Sequence, residues 1–196
     1  MKRCKWTGND PLLIEYHDKE WGVPLFDDDR QFEFLSLEVM QCGLSWMTVL
    51  RKREVLRKAF DAFSPKLVSQ YTDEDVFRIM NTEGMIRSER KIRAVISNAR
   101  HFIEIQEEHG SFSNFIWSYV GFKPVEYPGH ADGTVLVSRN ELSDQISKDL
   151  KKRGFSYLGS ITIYSHLQAA GLINDHYDYC FRYLQLKGDM NKYLKS

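Results

Sequence analysis

Apolar residues recur at spacings of three and four along most of the chain, which is the period of an amphipathic helix. This pattern predicts five longer helices, over residues 30–41, 44–60, 89–108, 139–152 and 160–171. Alternating polar and apolar positions, which would indicate strands, are scarce. The chain is therefore predicted to be all-α.

Helix start signals between these segments predict further short helices. Serine and threonine are favoured N-caps, and they open apolar-periodic stretches at Ser64-Pro65, at Thr72-Asp73-Glu74 and at Ser111 or Ser113. Residues 121–137 are rich in glycine and proline and lack periodicity, so we expect either a functional loop or a loosely ordered surface loop there. Residues 181–196 are aromatic and basic and are predicted to form a docked C-terminal extension.

The chain has 196 residues, which suits one domain spanning residues 1–196 rather than several independent ones. No apolar run approaches the ~18 residues of a membrane span. The first six residues lead into a polar stretch and Pro11, unlike a signal peptide. We therefore expect a cytoplasmic protein with no membrane partner.

The formal net charge is zero, so the overall charge does not indicate a polyanionic partner. Nucleic-acid binding would have to depend on local basic patches, which lie within residues 51–53, 87–93 and 148–153. A run of charges on a helix is usually a solvated face. Each patch, taken alone, favours that simpler interpretation.

Glu38 is a carboxylate on an apolar helix face. On a helical wheel of ~100° per residue it lies among Phe34, Leu35 and Val39. A carboxylate that points toward a core is costly unless it is paired, hydrogen-bonded or functional. Two interpretations remain open: Glu38 pairs with an arginine or a backbone group, or it belongs to a site.

A Gly-Leu-Ser-Trp turn follows this helix, ending it at Gly43 and placing Ser45 to cap the next helix. Trp6, Trp21 and Trp46 all lie within the first 46 residues. They could form an aromatic core. Flat side chains beside a carboxylate also suit a planar cationic ligand, because π faces attract positive charge.

Three cysteines are too few for a disulfide framework. His176 and Cys180 are four residues apart, which places both on one face if the segment is helical, and Cys4 and His17 supply a second pair. A Cys2His2 set suits Zn²⁺ in a closed structural site. The spacing from Cys4 to His17 fits no compact zinc finger, so a buried cysteine and ordinary histidines are the alternative. No role is assigned to the other four histidines, His101, His109, His130 and His166.

Residues 150–162 contain a basic helix end, a glycine stop, an apolar hinge, and a Gly-Ser pair that opens the next helix. This order predicts a helix-hairpin-helix. Its glycines would let the backbone approach a phosphate, which the free N–H groups of the second helix could bind. A plain helical hairpin is the alternative.

From Cys4 to Cys180 the chain resembles the bacterial 3-methyladenine DNA glycosylase I family, because several long residue strings match that family and occur in the same order. They are Arg3-Cys4-x-Trp6, Tyr16-His17-Asp18-x-Glu20-Trp21-Gly22-Val23-Pro24, Glu38-x-x-Gln41-x-Gly43-Leu44-Ser45-Trp46-x-Thr48-Val49-Leu50, Lys91-Ile92 with Asn98-Ala99-Arg100, and Leu150 to Gly154 leading to Gly171-Leu172-x-Asn174-Asp175-His176. The resemblance implies an all-α fold of the helix-hairpin-helix glycosylase type, with a zinc site joining the N- and C-terminal segments.

The resemblance also implies roles for individual positions. Glu38 and Tyr16 would be the catalytic residues that hydrogen-bond a flipped base, and the base would lie between aromatic walls formed by Trp46, Trp6 and Trp21. Gly43 and Leu44 would fill the gap left in the duplex. The residues that would hold the DNA backbone are Arg153, Gly154, Gly159, Ser160 and Thr162. Structural Zn²⁺ would be bound by Cys4, His17, His176 and Cys180.

The implied reaction is hydrolysis of the N-glycosidic bond of N3-methyladenine in alkylated double-stranded DNA, which leaves an abasic site. No amine nucleophile is expected at the pocket, so the enzyme would be monofunctional, without lyase chemistry. The family lacks the catalytic aspartate of related glycosylases, and Asp175 is not given that role. Cys42 replaces a usually small residue, and residues 158–161 vary the hairpin. We expect a monomer with no obligate protein partner.

Two other classes of function remain possible from the sequence. A non-catalytic lesion-binding protein would bind alkylated DNA without releasing a base. A zinc hydrolase of small molecules would need an open coordination position at the metal. Four apparent zinc ligands argue against the hydrolase.

Overall fold

The computed structural model describes residues 1–127, 130, 132–135 and 137–188. This part of the chain contains ten α-helices and two 3₁₀ segments, at Lys5–Thr7 and Asp61–Phe63. The α-helices are α1 (Pro11–Lys19), α2 (Asp28–Gln41), α3 (Trp46–Ala59), α4 (Pro65–Val68), α5 (Asp73–Met80), α6 (Glu89–His109), α7 (Phe112–Ser118), α8 (Glu141–Lys152), α9 (Ser160–Ala169) and α10 (Phe181–Gly188). Within these residues no β-strand forms, which confirms the all-α expectation.

The five longer helices begin and end within two residues of their predicted limits. Side-chain caps explain several of the starts: Asp27 accepts a hydrogen bond from the Arg30 N–H at 2.9 Å, and Ser111 accepts one from Asn114 at 2.8 Å. Such caps satisfy N–H groups that the first helical turn leaves without a partner.

Helix α2 is the centre of the molecule. Every residue from 31 to 40 is buried, and α2 packs against α3, α6, α7 and α9. The longest helix, α6, contributes Ile92, Val95, Ala99 and Phe102 to the same core, at the three- and four-residue spacing of a buried face. Helix α2 is therefore packed on all sides, and this packing fixes the neighbours of any polar side chain on it.

The segment from His176 to Cys180 is not helical, so the condition of a shared helix face is not met. It forms a turn closed by a hydrogen bond from the Cys180 N–H to the Tyr177 carbonyl at 2.8 Å. Gly171 precedes it with φ of +74°, and an added Cβ there would lie 2.5 Å from the Pro24 nitrogen. The backbone thus reverses after α9, and the turn, not a helix face, brings His176 and Cys180 together.

Residues 121–137, predicted as a loop, are irregular where they are described, with one bridge between Val125 and Ile173. Residues 128, 129, 131 and 136 of that prediction lie outside the described residues. The expected C-terminal extension docks through α10: the Phe181 N–H donates to the Lys2 carbonyl at 3.1 Å, and Leu186 is buried. Its last part, residues 189–196, lies outside the described residues. No helix in the described part of the chain has the length and apolarity that a membrane crossing requires.

Candidate active site

A pocket of about 280 Å³ opens where the first three helices meet. Tyr16 reaches it from α1, Glu38 from α2 and Trp46 from the first turn of α3. Trp6 and Trp21 complete its aromatic side, so the structure brings together all five residues proposed to bind or act on a base.

The aromatic rings of the pocket support one another at fixed angles. The ring centroids of Trp6 and Trp21 are 5.1 Å apart at 74°, and those of Tyr16 and Trp46 are 5.3 Å apart at 51°. Tilted and edge-on contacts of this kind are favoured between aromatic side chains. Trp6 is 37% exposed, so this part of the wall remains open to an incoming group.

Glu38 is only 4% exposed, and its Oε2 atom is buried without a hydrogen-bond partner. Burial raises the pKa of its carboxyl group to about 8. The indole Nε1 of Trp46, in the same pocket, is also buried without a partner. Two polar groups without partners around one pocket indicate a binding site, because a buried polar group without a partner costs free energy.

The arginine that could have paired with Glu38 pairs elsewhere. Arg53, which is 7% exposed, donates to Glu33 at 2.8 Å and through both terminal nitrogens to Glu20, each at 2.8 Å. Arg57 also donates to Glu33. The basic patch at residues 51–53 is therefore neither wholly a solvated face nor wholly available to a phosphate. No pattern in the sequence predicted this network.

A second polar cluster forms the far wall of the pocket and was also missed. Asp175 accepts hydrogen bonds from the Tyr164 hydroxyl at 2.6 Å and the Gln168 amide at 2.8 Å, and its other oxygen lies 3.0 Å from His130 Nδ1. His130 lines the pocket although no role was assigned to it. Tyr164 and Asp175 lie 34 and 45 positions from His130 in sequence, so no local sequence pattern could connect the three.

The turn after α2 is exposed. Gly43 has φ of +77°, and nothing lies within 4 Å of the position where a side chain would begin. Leu44 is 40% exposed, and Ser45 caps α3 by accepting from the Thr48 N–H at 3.2 Å. The turn thus presents an apolar side chain to solvent two residues before Trp46, which lines the pocket.

Helices α8 and α9 are joined by a hairpin over residues 153–159. Gly154 has φ of +96°, and a Cβ there would meet His101 Nε2 at 2.5 Å, so this position requires glycine. Gly159 precedes Ser160 and Thr162 at the start of α9 and is exposed. Arg153 is already engaged, since it pairs with Glu108 at 2.5 Å and lies over the Phe115 ring at 5.2 Å.

The hairpin and the turn after α2 are neighbours. Cys42 Sγ lies 3.9 Å from the Tyr157 carbonyl oxygen and 4.0 Å from Thr162 Oγ1. Tyr157 is 39% exposed and has φ of +61°, a strained value for a bulky residue. The two segments predicted to contact DNA therefore form one continuous surface.

The four predicted zinc ligands are buried together between the chain ends, and one ligand atom from each lies within 4.8 Å of the others. Cys180 Sγ is 3.4 Å from His17 Nε2 and 3.7 Å from His176 Nδ1, and Cys4 Sγ is 3.6 Å from His176 Nδ1. Tetrahedral Zn²⁺ with ordinary bond lengths requires S···N separations of about 3.6 Å. The donor set therefore fits zinc.

The remaining ring nitrogens of the two histidines are also occupied in the way a metal site needs. His17 Nδ1 lies 2.7 Å from Asp18 Oδ1, and His176 Nε2 lies 3.0 Å from the Trp21 carbonyl oxygen. Such outer partners fix the tautomer of a ligating histidine and turn its other nitrogen toward the metal. The contact to Trp21 also links this cluster to the pocket wall.

Comparison with known proteins gives consistent matches. The family model for methyladenine glycosylase matches residues 6–183. The chain is 44% identical to DNA-3-methyladenine glycosylase 1 of Escherichia coli (strain K12), over 93% of this chain and 97% of that protein. It is 42% identical to DNA-3-methyladenine glycosylase of Haemophilus influenzae (strain ATCC 51907 / DSM 11121 / KW20 / Rd), over 91% of this chain and 96% of that protein.

Solved structures agree with these relatives. The crystal structure of a 3-methyladenine DNA glycosylase I matches with a TM-score of 0.86 at 43% identity, covering 92% of this chain and 98% of that one. The 3-methyladenine DNA glycosylase I from Staphylococcus aureus matches with a TM-score of 0.88 at 38% identity, covering 92% of this chain and 96% of that one.

Proposed function

The chain belongs to the methyladenine glycosylase family and is a DNA glycosylase, a hydrolase of N-glycosyl bonds, and from this premise we propose that it excises N3-methyladenine flipped out of double-stranded DNA. The observation that carries the proposal is the pocket itself. A buried carboxyl oxygen of Glu38 and the indole N–H of Trp46 have no partner there, and aromatic rings surround them.

The pocket suits the chemistry of the methylated base. Methylation at N3 makes adenine cationic in the nucleoside, and the π faces of Trp6, Trp21 and Trp46 attract positive charge. Glu38 accepts a hydrogen bond from an N–H on the edge of the base, and this bond is strengthened when the carboxyl is ionised. Tyr16, buried against Trp46, contacts the base from α1.

The protonation state of Glu38 makes the pocket selective for a cationic base over a neutral one. In the free enzyme its pKa is about 8, so it is largely protonated at neutral pH. A cationic base beside it favours the charged carboxylate, because an opposite charge within a few ångströms lowers the pKa of an acid. A neutral, undamaged adenine gives no such compensation. Glu38 thus favours the extruded cationic base, and it does so without acting as a strong base.

Most of the activation lies in the substrate, because a cationic purine is a good leaving group. The enzyme supplies the energy for unstacking, which is a few kcal/mol and smaller for a damaged base. Leu44 fills the space that the flipped nucleotide leaves. Gly43 lets the protein backbone approach the duplex. The hairpin between α8 and α9 holds the DNA backbone as a helix-hairpin-helix does, through Arg153, Gly154, Gly159, Ser160 and Thr162. Arg153 would have to exchange Glu108 for a phosphate.

Cys4, His17, His176 and Cys180 would hold Zn²⁺, whose chemistry here is structural, since four protein ligands close the coordination shell. These residues join the first segment of the chain to the segment before α10. Because His176 contacts the Trp21 carbonyl, the same four-residue cluster also positions Trp21, which is one aromatic wall of the pocket.

The reaction leaves an abasic site and stops there. A lyase needs an amine that forms a Schiff base with the sugar, and among the described residues that line the pocket there is no lysine. This supports a monofunctional glycosylase acting on alkylated double-stranded DNA. It remains our prediction that the enzyme is a monomer without an obligate protein partner.

The test is to incubate the zinc-loaded protein with duplex DNA methylated at its purines and to identify the free bases by chromatography. We expect release of 3-methyladenine and no covalent protein–DNA adduct after borohydride treatment. Binding to the methylated duplex without base release would instead favour the non-catalytic alternative, and a trapped adduct would contradict the monofunctional assignment.

A further inference from the structure

Lys91 has an unusual position for a lysine. It is 9% exposed, and in the part of the chain that the structure describes it forms no ion pair with a carboxylate. Its ammonium group donates to the Met40 carbonyl at 2.9 Å and to the Cys42 carbonyl at 2.5 Å. These are among the carbonyls that the end of α2 leaves without helical partners, at the negative end of its dipole.

Lys91 therefore fixes the turn that carries Gly43 and Leu44. The Cys42 carbonyl lies directly before Gly43, so one of the two hydrogen bonds anchors the root of the exposed turn. The opposite side of that turn is open, with nothing near Gly43. Apart from Lys91, the turn is held by its own hydrogen bond from the Leu44 N–H to the Gln41 carbonyl and by the contacts of Cys42 with the hairpin.

Asn98 makes an equivalent contact with the hairpin. It is 2% exposed, and its side-chain amide donates to the Ser156 carbonyl at 3.0 Å while its oxygen accepts from the Ser156 N–H at 2.9 Å. Both backbone groups of one hairpin residue are thus held by one side chain. Ser156 lies between Gly154 and Tyr157, at the tip of the segment that joins α8 and α9.

The two contacts come from one face of one helix. Lys91 and Asn98 are seven residues apart on α6, which is close to two helical turns and a rise of about 10 Å. One helix therefore holds both the exposed turn and the hairpin, whose Cys42 Sγ and Tyr157 carbonyl oxygen lie 3.9 Å apart. Because the two segments adjoin, both can engage the same short stretch of DNA around one flipped nucleotide.

We propose that Lys91 and Asn98 are positioning residues for the glycosylase reaction: from one helix, α6, they fix the Gly43–Leu44 turn and the hairpin relative to each other, so that gap filling and backbone binding occur together around the flipped nucleotide. This inference rests on the proposed function. It concerns only the duplex, because neither residue lines the base pocket.

The test separates duplex engagement from base binding. Lys91→Met keeps the length of the side chain and removes its donors, and Asn98→Leu keeps the shape and removes both hydrogen bonds. Lys66→Met, at an exposed position on α4, is the matched control for loss of one positive charge. For each zinc-loaded protein we would measure single-turnover release of 3-methyladenine from methylated duplex, affinity for that duplex, and affinity for free 3-methyladenine by tryptophan fluorescence.

We expect Lys91→Met and Asn98→Leu each to slow base release or weaken duplex affinity by about 10- to 100-fold, since a misplacement near 1 Å costs that much. Free-base affinity should stay within about two-fold of wild type, and the double variant should lose less than the product of the single effects, because both act on one arrangement. Lys66→Met should match wild type.

Equal rates and equal duplex affinities in the folded variants would overturn the inference, as would a parallel loss of free-base affinity. Should Lys91→Met fail to fold, Asn98→Leu tests the other end of the same proposal, and Lys91→Arg, which keeps the donors, should retain activity. Failure of the proposed function is distinguishable, because the wild-type protein itself would then release no base, whatever the variants do to duplex affinity.

Discussion

Glu33 and Glu38 lie five residues apart on α2, and both are almost fully buried, but their carboxyl groups have opposite surroundings. Burial favours the neutral form of Glu33, but hydrogen bonds from Arg57 and Arg53 hold its pKa below the ordinary value. Among the residues that the structure describes, no arginine pairs with Glu38, and burial raises its pKa to about 8. One helix thus carries a charged, structural carboxylate and a neutral carboxyl group that faces the pocket.

The pKa of Glu38 predicts a pH dependence of stability. Above about pH 4.5 the unfolded chain releases this proton while the folded protein keeps it until about pH 8. The folded state therefore binds more protons, and the contribution of Glu38 to the free energy of unfolding falls by about 1.4 kcal/mol per pH unit over that window. Glu38→Gln removes this dependence.

We therefore expect Glu38→Gln to become more stable relative to wild type as the pH rises from 6 to 8. Urea denaturation of both proteins at several pH values measures the difference, in which contributions from other groups cancel. A difference that stays constant with pH would mean that Glu38 is already ionised in the free enzyme.

Arg53→Met should be strongly destabilising. It removes one of the two arginines that donate to the buried Glu33 and both of the hydrogen bonds from Arg53 to Glu20, and removing one partner of a buried ion pair costs up to about 3–5 kcal/mol. Arg51→Met is the matched control, because Arg51 is exposed and its pair with Asp10 at 3.5 Å is worth about 1 kcal/mol or less. Urea midpoints that shift equally for both variants would contradict this account of the network.

The sequence predicted some of these features better than others. The helices and the buried position of Glu38 followed from the three- and four-residue spacing of apolar positions in the sequence. The network of Arg53 did not, since Glu20, Glu33 and Arg53 come from three separate elements and their pairing depends on how those elements pack. For the same reason the pocket positions of His130 and Asp175 could not be predicted.

The His176 and Cys180 pair shows a different limit. Their spacing of four positions would place both on one face of a helix, and the structure has a turn instead. Ligand spacing alone does not distinguish these two backbones, because either can bring positions i and i+4 together. The four residues were proposed as ligands from their identity and from the resemblance, not from geometry.

Removal of the metal should loosen the chain ends. We expect wild-type protein to contain about one zinc ion per chain and Cys180→Ser to contain little, with a Tm lower by several degrees, because structural zinc contributes directly to folding free energy. Cys42→Ser is the matched control and should retain zinc. Elemental analysis and calorimetry measure both properties. A Cys180→Ser protein with wild-type zinc content would show that the four residues are not the ligands.

Leu44→Ala should weaken action on duplex DNA and leave free-base binding unchanged. Losing most of an apolar side chain that fills the duplex gap costs about 1–3 kcal/mol, which is on the order of 10- to 100-fold in the DNA concentration for half-maximal rate. Leu67→Ala, at a position 48% exposed on α4, is the control. If the two variants gave the same kinetics, Leu44 would not enter the duplex.

The most direct test of the account is single-turnover release of 3-methyladenine from methylated duplex DNA by wild type, by Glu38→Gln and by Glu104→Gln, whose side chain is 64% exposed on α6. We predict that wild type and Glu104→Gln release the base at equal rates and that Glu38→Gln is slower by about 10- to 100-fold, the value of a hydrogen bond to a charged group. Release by Glu38→Gln at the wild-type rate would contradict the central role given to this buried carboxyl group.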